Sequence, residues 1–144
     1  MPANLSDKNL EDVVRKELKK PEGPLTRGDL KRLDKLEVDD DAGTAVIENL
    51  FGMEHAVNLT YLDVKVNEII DIRPLKALSK LTELDLYANE ISDIRPLASL
   101  TKLTTLYLYG NPLNKDIHAH VTNLEAHVAT LQARGVAVEW VLWT

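Results

Sequence analysis

At 144 residues the chain has the length of one domain, enough to bury roughly two-thirds of its unfolded surface. Apolar residues at 44% and charged residues at 28% describe a folded, globular chain, and no run approaches the roughly 20 apolar residues of a membrane helix. The formal charge of −6 excludes a general nucleic-acid binder, and zero cysteines exclude disulfides, thiolate chemistry and sulfur-ligated zinc.

The first five residues, MPANL, carry no basic segment followed by an apolar one, so no signal peptide is expected. Residues 7–20, DKNLEDVVRKELKK, predict an amphipathic helix with Leu10, Val13, Val14 and Leu18 on one face. Ser6 or Asp7 is the expected N-cap, and Pro21, Gly23 and Pro24 the expected stop. Thr26 should cap a short second helix carrying Leu30 and Leu33.

A repeat dominates the middle of the chain. Residues 59–80, LTYLDVKVNEIIDIRPLKALSK, align without a gap on 81–102, LTELDLYANEISDIRPLASLTK, with 14 of 22 positions identical. A third copy begins at Leu103 and departs after LTTLYLYGNPLN. A degenerate earlier copy has Leu36 and Val38 at the strand positions, and Ile47, Leu50, Met53 and Ala56 fall 22 residues before Ile69, Ile72, Leu75 and Leu78. Leu36 lies 26 residues before Leu62, so about four extra residues enlarge the loop at Asp39–Thr44. The 22-residue period and the pattern L-x-x-L-x-L-x-x-N mark leucine-rich repeats. Leu62 and Val64, Leu84 and Leu86, and Leu106 and Leu108 alternate with polar residues at strand spacing, so each short strand has one apolar face to bury against its neighbours. Asn67, Asn89 and Asn111 end the strands at a sharp turn, where an amide can both donate to and accept from buried backbone. Pro74 and Pro96 suit the first turn of a short helical segment on the convex side.

After the repeats, Ile117, Val121, Leu124, Val128 and Leu131 form an apolar helical stripe, with Arg134 and Gly135 as its C-terminal stop. A last strand, VAVEWVLW, comes next. The expected fold is therefore α/β: a right-handed leucine-rich repeat solenoid with a parallel concave sheet. It has four repeat strands, or five with the last one. A single domain spans 1–144, with an N-terminal helical cap at 1–33, repeats at 34–113 and a C-terminal helix–strand cap at 114–144. With both ends covered, a monomer complete in itself is expected.

These features resemble the bacterial leucine-rich repeat proteins of the internalin type. The residues that carry the resemblance are the helical segment NLEDVVRKELKKPEGPLT, the repeat NEISDIRPLASLTKL and the ending NPLNKD…LQARGVAVEW. Internalins proper have more repeats. The resemblance implies non-enzymatic binding of a protein or peptide through the concave strand face, in a secreted or cell-surface setting, with a cytoplasmic adaptor as the alternative. A structural spacer or docking domain of a larger bacterial surface protein is the other role it allows. No cofactor, nucleic-acid partner or membrane span is implied.

Strand alternation places the candidate binding residues. Those pointing away from the core are Lys35, Glu37 and Asp39; Tyr61, Asp63 and Lys65; Glu83, Asp85 and Tyr87; and Thr105, Tyr107 and Tyr109. All four tyrosines of the chain are in this set, and Tyr87 and Tyr109 share a column about one strand spacing, ~4.8 Å, apart. Tyrosine gives broad amphipathic contact at low entropic cost, and it also suits strands for their own stability. The face runs from acidic at its N-terminal end to aromatic at its C-terminal end. Five strands at ~4.8 Å give about 24 Å of width, and three outward residues give about 10 Å of depth, which suits a peptide or a weak contact more than a standard interface of about 800 Å² per partner.

Catalytic and metal readings find less support. Asp63 and Asp85 stack on neighbouring strands but lack a positioned nucleophile, and a solvated acidic face is expected there. The loop Asp39, Asp40, Asp41 puts Thr44 and Leu50 where a calcium-binding EF-hand needs glycine and glutamate. His118 and His120 point about 200° apart on a helix, and His120 and His127 are about 10 Å apart along its axis, too far for one metal. Arg73 and Arg95, each two residues after an aspartate, are explained by duplication of the repeat. Of Trp140 and Trp143, one is expected to cover the end of the core.

Overall fold

The computed structural model describes residues 1–38, 46–113 and 128–139. Five short strands form one parallel sheet in sequence order: β1 (Lys35–Glu37), β2 (Tyr61–Asp63), β3 (Glu83–Asp85), β4 (Thr105–Tyr107) and β5 (Ala137–Glu139). Leu36, Leu62, Leu84, Leu106 and Val138 lie in register across it, which places the expected repeat origin, including the 26-residue first interval, where the sequence put it. The opposite side of each coil carries a 3-10 turn, at Met53–His55, Arg73–Ala77 and Arg95–Ser99. Pro74 and Pro96 sit in the first turn of the latter two, as their missing N–H groups require.

Between sheet and 3-10 turns runs a single core. Ile47, Leu50, Met53 and Ala56 from the first repeat, and their equivalents in the next two, are all but inaccessible to solvent. Asparagines close the inner turns. Asn89, 3% exposed, accepts from the Ile69 N–H at 3.1 Å and donates from Nδ2 to the carbonyls of Val64 (3.0 Å) and Leu86 (3.1 Å). Asn111 does the same one repeat later, with Ile91, Leu86 and Leu108. Asn67 accepts from Ile47 and donates to Val64 and Lys65. Each amide thus ties its own turn to the preceding repeat.

A second ladder lies at the strand entrances. The Thr82 N–H donates to the Thr60 carbonyl and the Thr104 N–H to the Thr82 carbonyl, both at 2.8 Å, and the threonine hydroxyls double these bonds. Threonine suits the place because its branched side chain favours extended backbone while its hydroxyl reaches a neighbouring carbonyl.

At the N-terminus, helix α1 (Lys8–Leu18) buries Leu10, Val14 and Leu18, with Val13 partly covered. It is shorter than the 7–20 helix expected from sequence. Lys19 adopts a left-handed conformation (φ 55°), so the Lys20 N–H turns back to the Arg15 carbonyl before Pro21 is reached. Asp7 is the N-cap, and its carboxylate does more than cap: Oδ1 accepts from the N–H groups of Asn9 and Leu10, and Oδ2 from those of Glu48 (2.7 Å) and Asn49 (3.2 Å). One carboxylate therefore pins the helix to the first repeat, more than 40 residues away in sequence. Helix α2 (Arg27–Leu30) ends before Leu33, which is buried just beyond it. Its start is a reciprocal cap in which Thr26 and Asp29 satisfy each other's backbone N–H groups. Beyond the repeats, residues 128–133 are helical, Val128 and Leu131 are buried, and Gly135 (φ 87°) ends the turn with the Val136 N–H bonded to the Leu131 carbonyl. The expectations for Ile117, Val121 and Leu124, for Trp140 and Trp143, for His118, His120 and His127 and for the acidic loop at 39–41 fall outside the described residues.

Two stability measurements probe this framework. Asn89→Ala strands the buried Ile69 N–H, at about 1–3 kcal/mol, and takes one of two amide donors from the Val64 and Leu86 carbonyls, which keep Asn67 and Asn111. Urea unfolding should show a loss of at least about 2 kcal/mol. The second concerns acid. The Lys20 ammonium, 2.8 Å away, and then the Thr26 N–H hold the Asp29 carboxyl down to about 2. A depressed carboxyl stabilises the fold fully above its unfolded value, near 4, and loses that contribution as pH falls toward its folded value. Asp29→Asn should lower stability at pH 7 and flatten the decline between about pH 4 and 2, as followed by urea titrations across that window.

Candidate functional site

Register sorts the outward residues of the sheet into three columns. Lys35, Tyr61, Glu83, Thr105 and Ala137 form the first; Glu37, Asp63, Asp85, Tyr107 and Glu139 form the second. Beyond the strands the ladder continues, with Val66 N–H to the Tyr87 carbonyl and Ala88 N–H to the Tyr109 carbonyl, so Lys65, Tyr87 and Tyr109 form the third. Of the twelve outward residues expected from the sequence, the nine from Tyr61 to Tyr109 are thus on one face, with Lys35 and Glu37 beside them; Asp39 lies outside the described residues.

They are not equivalent. Tyr87 and Tyr109 are exposed, at 39% and 47%, and their rings stack with centroids 5.6 Å apart and planes 6° from parallel. Tyr61, Glu83, Asp85, Thr105 and Tyr107 are partly covered. Asp63 departs from the solvated acidic face that was expected. It is 1% exposed, and its carboxylate accepts from the Lys65 N–H (3.1 Å) and the Lys65 ammonium (2.8 Å). Lys65 has folded back over it, its own pKa raised by that hydrogen bond. The strand centre is the most enclosed part of the face, and a carboxylate there is stable only with a cation drawn over it. Nothing in the strand pattern distinguishes Asp63 from Asp85; the difference lies in the next outward residue, lysine in one repeat and tyrosine in the other.

Asp85 accordingly has no cation of its own: its Oδ1 accepts the Tyr87 N–H at 3.0 Å, and it makes no ion pair among the described residues. Burial pushes its carboxyl above the usual range and the charges of Asp63 and Glu83 add to this, against the opposing pull of the Tyr87 N–H and the Lys65 charge. The Tyr61 hydroxyl is likewise raised, first by burial and then by Asp63, Glu37 and Glu83 around it. The middle of the face is therefore electronegative, and its C-terminal part is aromatic. On the convex side, Arg73 and Arg95 pair with Asp71 and Asp93 at 2.6 Å each and repeat the same local motif, as duplication predicts.

The fold defines a class, the leucine-rich repeat solenoid. Models for leucine-rich repeats (2 copies) match residues 57–97 and 80–125. Among solved structures, an internalin (inlF) from Listeria monocytogenes is 34% identical over 77% of this chain, with a TM-score of 0.68. Internalin C2 of the same organism superposes over 99% of the chain at 22% identity, with a TM-score of 0.63, and the functional domain of InlJ over 74% at 24% identity, with a TM-score of 0.60. The latter two likenesses are of fold. No curated protein matches the chain. Repeats, sheet and neighbours together make the fold a leucine-rich repeat solenoid similar to that of the Listeria internalins. The chain spans 33% of the inlF internalin, 68% of internalin C2 and 25% of the InlJ domain. Among the described residues no helix is long and apolar enough to cross a membrane.

The tyrosine stack contributes little to the scaffold if it is a surface feature. Tyr87→Ser together with Tyr109→Ser should lower stability by only about 1 kcal/mol, the scale of one lateral pair. The check is urea unfolding beside Asn89→Ala. A loss as large as that of the asparagine variant would make the rings structural.

Proposed function

We propose that the protein is a non-enzymatic binding module that takes a protein or peptide partner on the concave strand face, around Tyr61, Glu83, Asp85, Tyr87, Thr105, Tyr107 and Tyr109. The observation that supports it is the exposed, parallel Tyr87–Tyr109 stack beside Glu83 and Asp85, which make no ion pair among the described residues. Two large aromatic rings held in one orientation lose little entropy on contact, which is how tyrosines serve binding surfaces. Asp63 and Lys65, although on the same face, act by neutralising each other and shaping its floor. The module acts as a monomer, and its setting is secreted or at the cell surface. A second reading, a spacer within a longer surface protein, draws on the chain's spanning only a third of the inlF internalin.

The two readings differ in one measurement. Partners are captured with the intact chain, and each is titrated against wild type and against the Tyr87→Ser, Tyr109→Ser double variant. Binding on the concave face predicts at least a tenfold loss of affinity, since interface tyrosines carry about 2 kcal/mol or more. Unchanged affinity with the fold intact would move the contact off this face.

A further inference from the structure

The stack and the carboxylate beside it differ in what they leave unsatisfied. Each ring of the Tyr87–Tyr109 pair covers one face of the other. The remaining face of Tyr87 looks back along its column toward Lys65, and that ammonium is committed to Asp63 at 2.8 Å. Alongside, on the same strand, stands Asp85, one oxygen engaged by the Tyr87 N–H and no cation paired with it among the described residues. Glu83 precedes it on that strand, and Tyr107 and Glu139 follow Asp85 across the column. An exposed aromatic ring and a partly desolvated carboxylate are thus held side by side by one backbone hydrogen bond.

We propose that the free face of Tyr87 and the Asp85 carboxylate form a seat for an arginine guanidinium carried on an extended segment of a partner protein, which rests on the concave-face reading above. Only arginine satisfies both walls. Its guanidinium is planar and weakly hydrated, so it stacks on an aromatic ring while its edge donates to a carboxylate in the same plane. A lysine ammonium is a strongly hydrated point charge that would have to give up more water to do either. The desolvation that raises the Asp85 carboxyl also favours the arrival of a counter-charge. The charge balance of the surroundings points the same way: Glu37, Glu83, Asp85 and Glu139 carry no ion pair among the described residues against the cations Lys35 and Lys65, and Lys65, although it attracts Asp85, has its ammonium bonded to Asp63. A face about 24 Å wide accommodates about seven residues of extended chain, so one arginine with three flanking residues on each side is the natural probe.

The test uses three blocked heptapeptides in a glycine–serine background with arginine, lysine or citrulline at the centre. Citrulline keeps the planar shape and removes the charge. Each is titrated into the intact protein while the tyrosine ring and backbone resonances are followed by NMR. The arginine peptide should shift the Tyr87 and Tyr109 rings and bind at least about fivefold more tightly than the other two. Asp85→Asn, which keeps an acceptor for the Tyr87 N–H, and Tyr87→Ser should each remove most of that preference, and raised salt should weaken it. Equal binding of citrulline and arginine, shifts confined to the convex side, or indifference to Asp85→Asn in a folded variant would each overturn the seat. If the peptides fail while the tyrosine double variant still loses a captured partner, the arginine seat falls and the concave-face reading stands. If the captured partner ignores the double variant, both fall.

Discussion

The inner turn of each coil has to satisfy backbone groups that no water reaches. In this chain one asparagine per repeat does it, and the rest of the structure depends on that. A parallel sheet of three-residue strands has too few hydrogen bonds of its own to hold a register, and each strand offers only one or two apolar side chains to the core. The Asn67, Asn89 and Asn111 amides add bonds that cross from one repeat to the previous one, so a turn cannot close unless its neighbour has closed. The 22-residue period is therefore a backbone constraint as much as a hydrophobic one. It also fixes which side chains stand in line across the concave face.

The same constraint explains an unusual backbone. The residue before each asparagine is left-handed, with φ values of 58°, 54° and 84° at Val66, Ala88 and Gly110. Glycine at 110 is the comfortable choice there, and a Cβ added to it would stand 3.1 Å from the Ala88 backbone. Valine is among the least suited residues to such a conformation. That it is tolerated at 66 shows how strongly the ladder on either side over-determines the turn.

The character of the concave face then depends on a few differences between similar repeats. The repeats at 59–80 and 81–102 share 14 of 22 residues, but the outward position after the strand is Lys65 in one and Tyr87 in the other. The lysine neutralises the aspartate beneath it; the tyrosine gives its aspartate no cation and leaves it partly buried next to an aromatic ring. A duplicated scaffold keeps the fold while single substitutions on one face set what it presents.

Much of this was legible in the sequence. The period, the inward leucines, the asparagine turns, the prolines on the convex side, the caps at Thr26 and Gly135 and the alignment of Tyr87 with Tyr109 all depend on residue spacing, and local geometry translates spacing into position. The Asp7 carboxylate binding the N–H groups of Glu48 and Asn49, the burial of Asp63 under Lys65, the early end of α1 at Lys19 and the left-handed Val66 were not. Each depends on which side chains and backbone groups meet from separate segments, or on which of two allowed local conformations the surrounding contacts favour. Periodicity assigns a residue to a face, but only packing decides whether that face is wet and which charge, like Asp63, finds a partner over it.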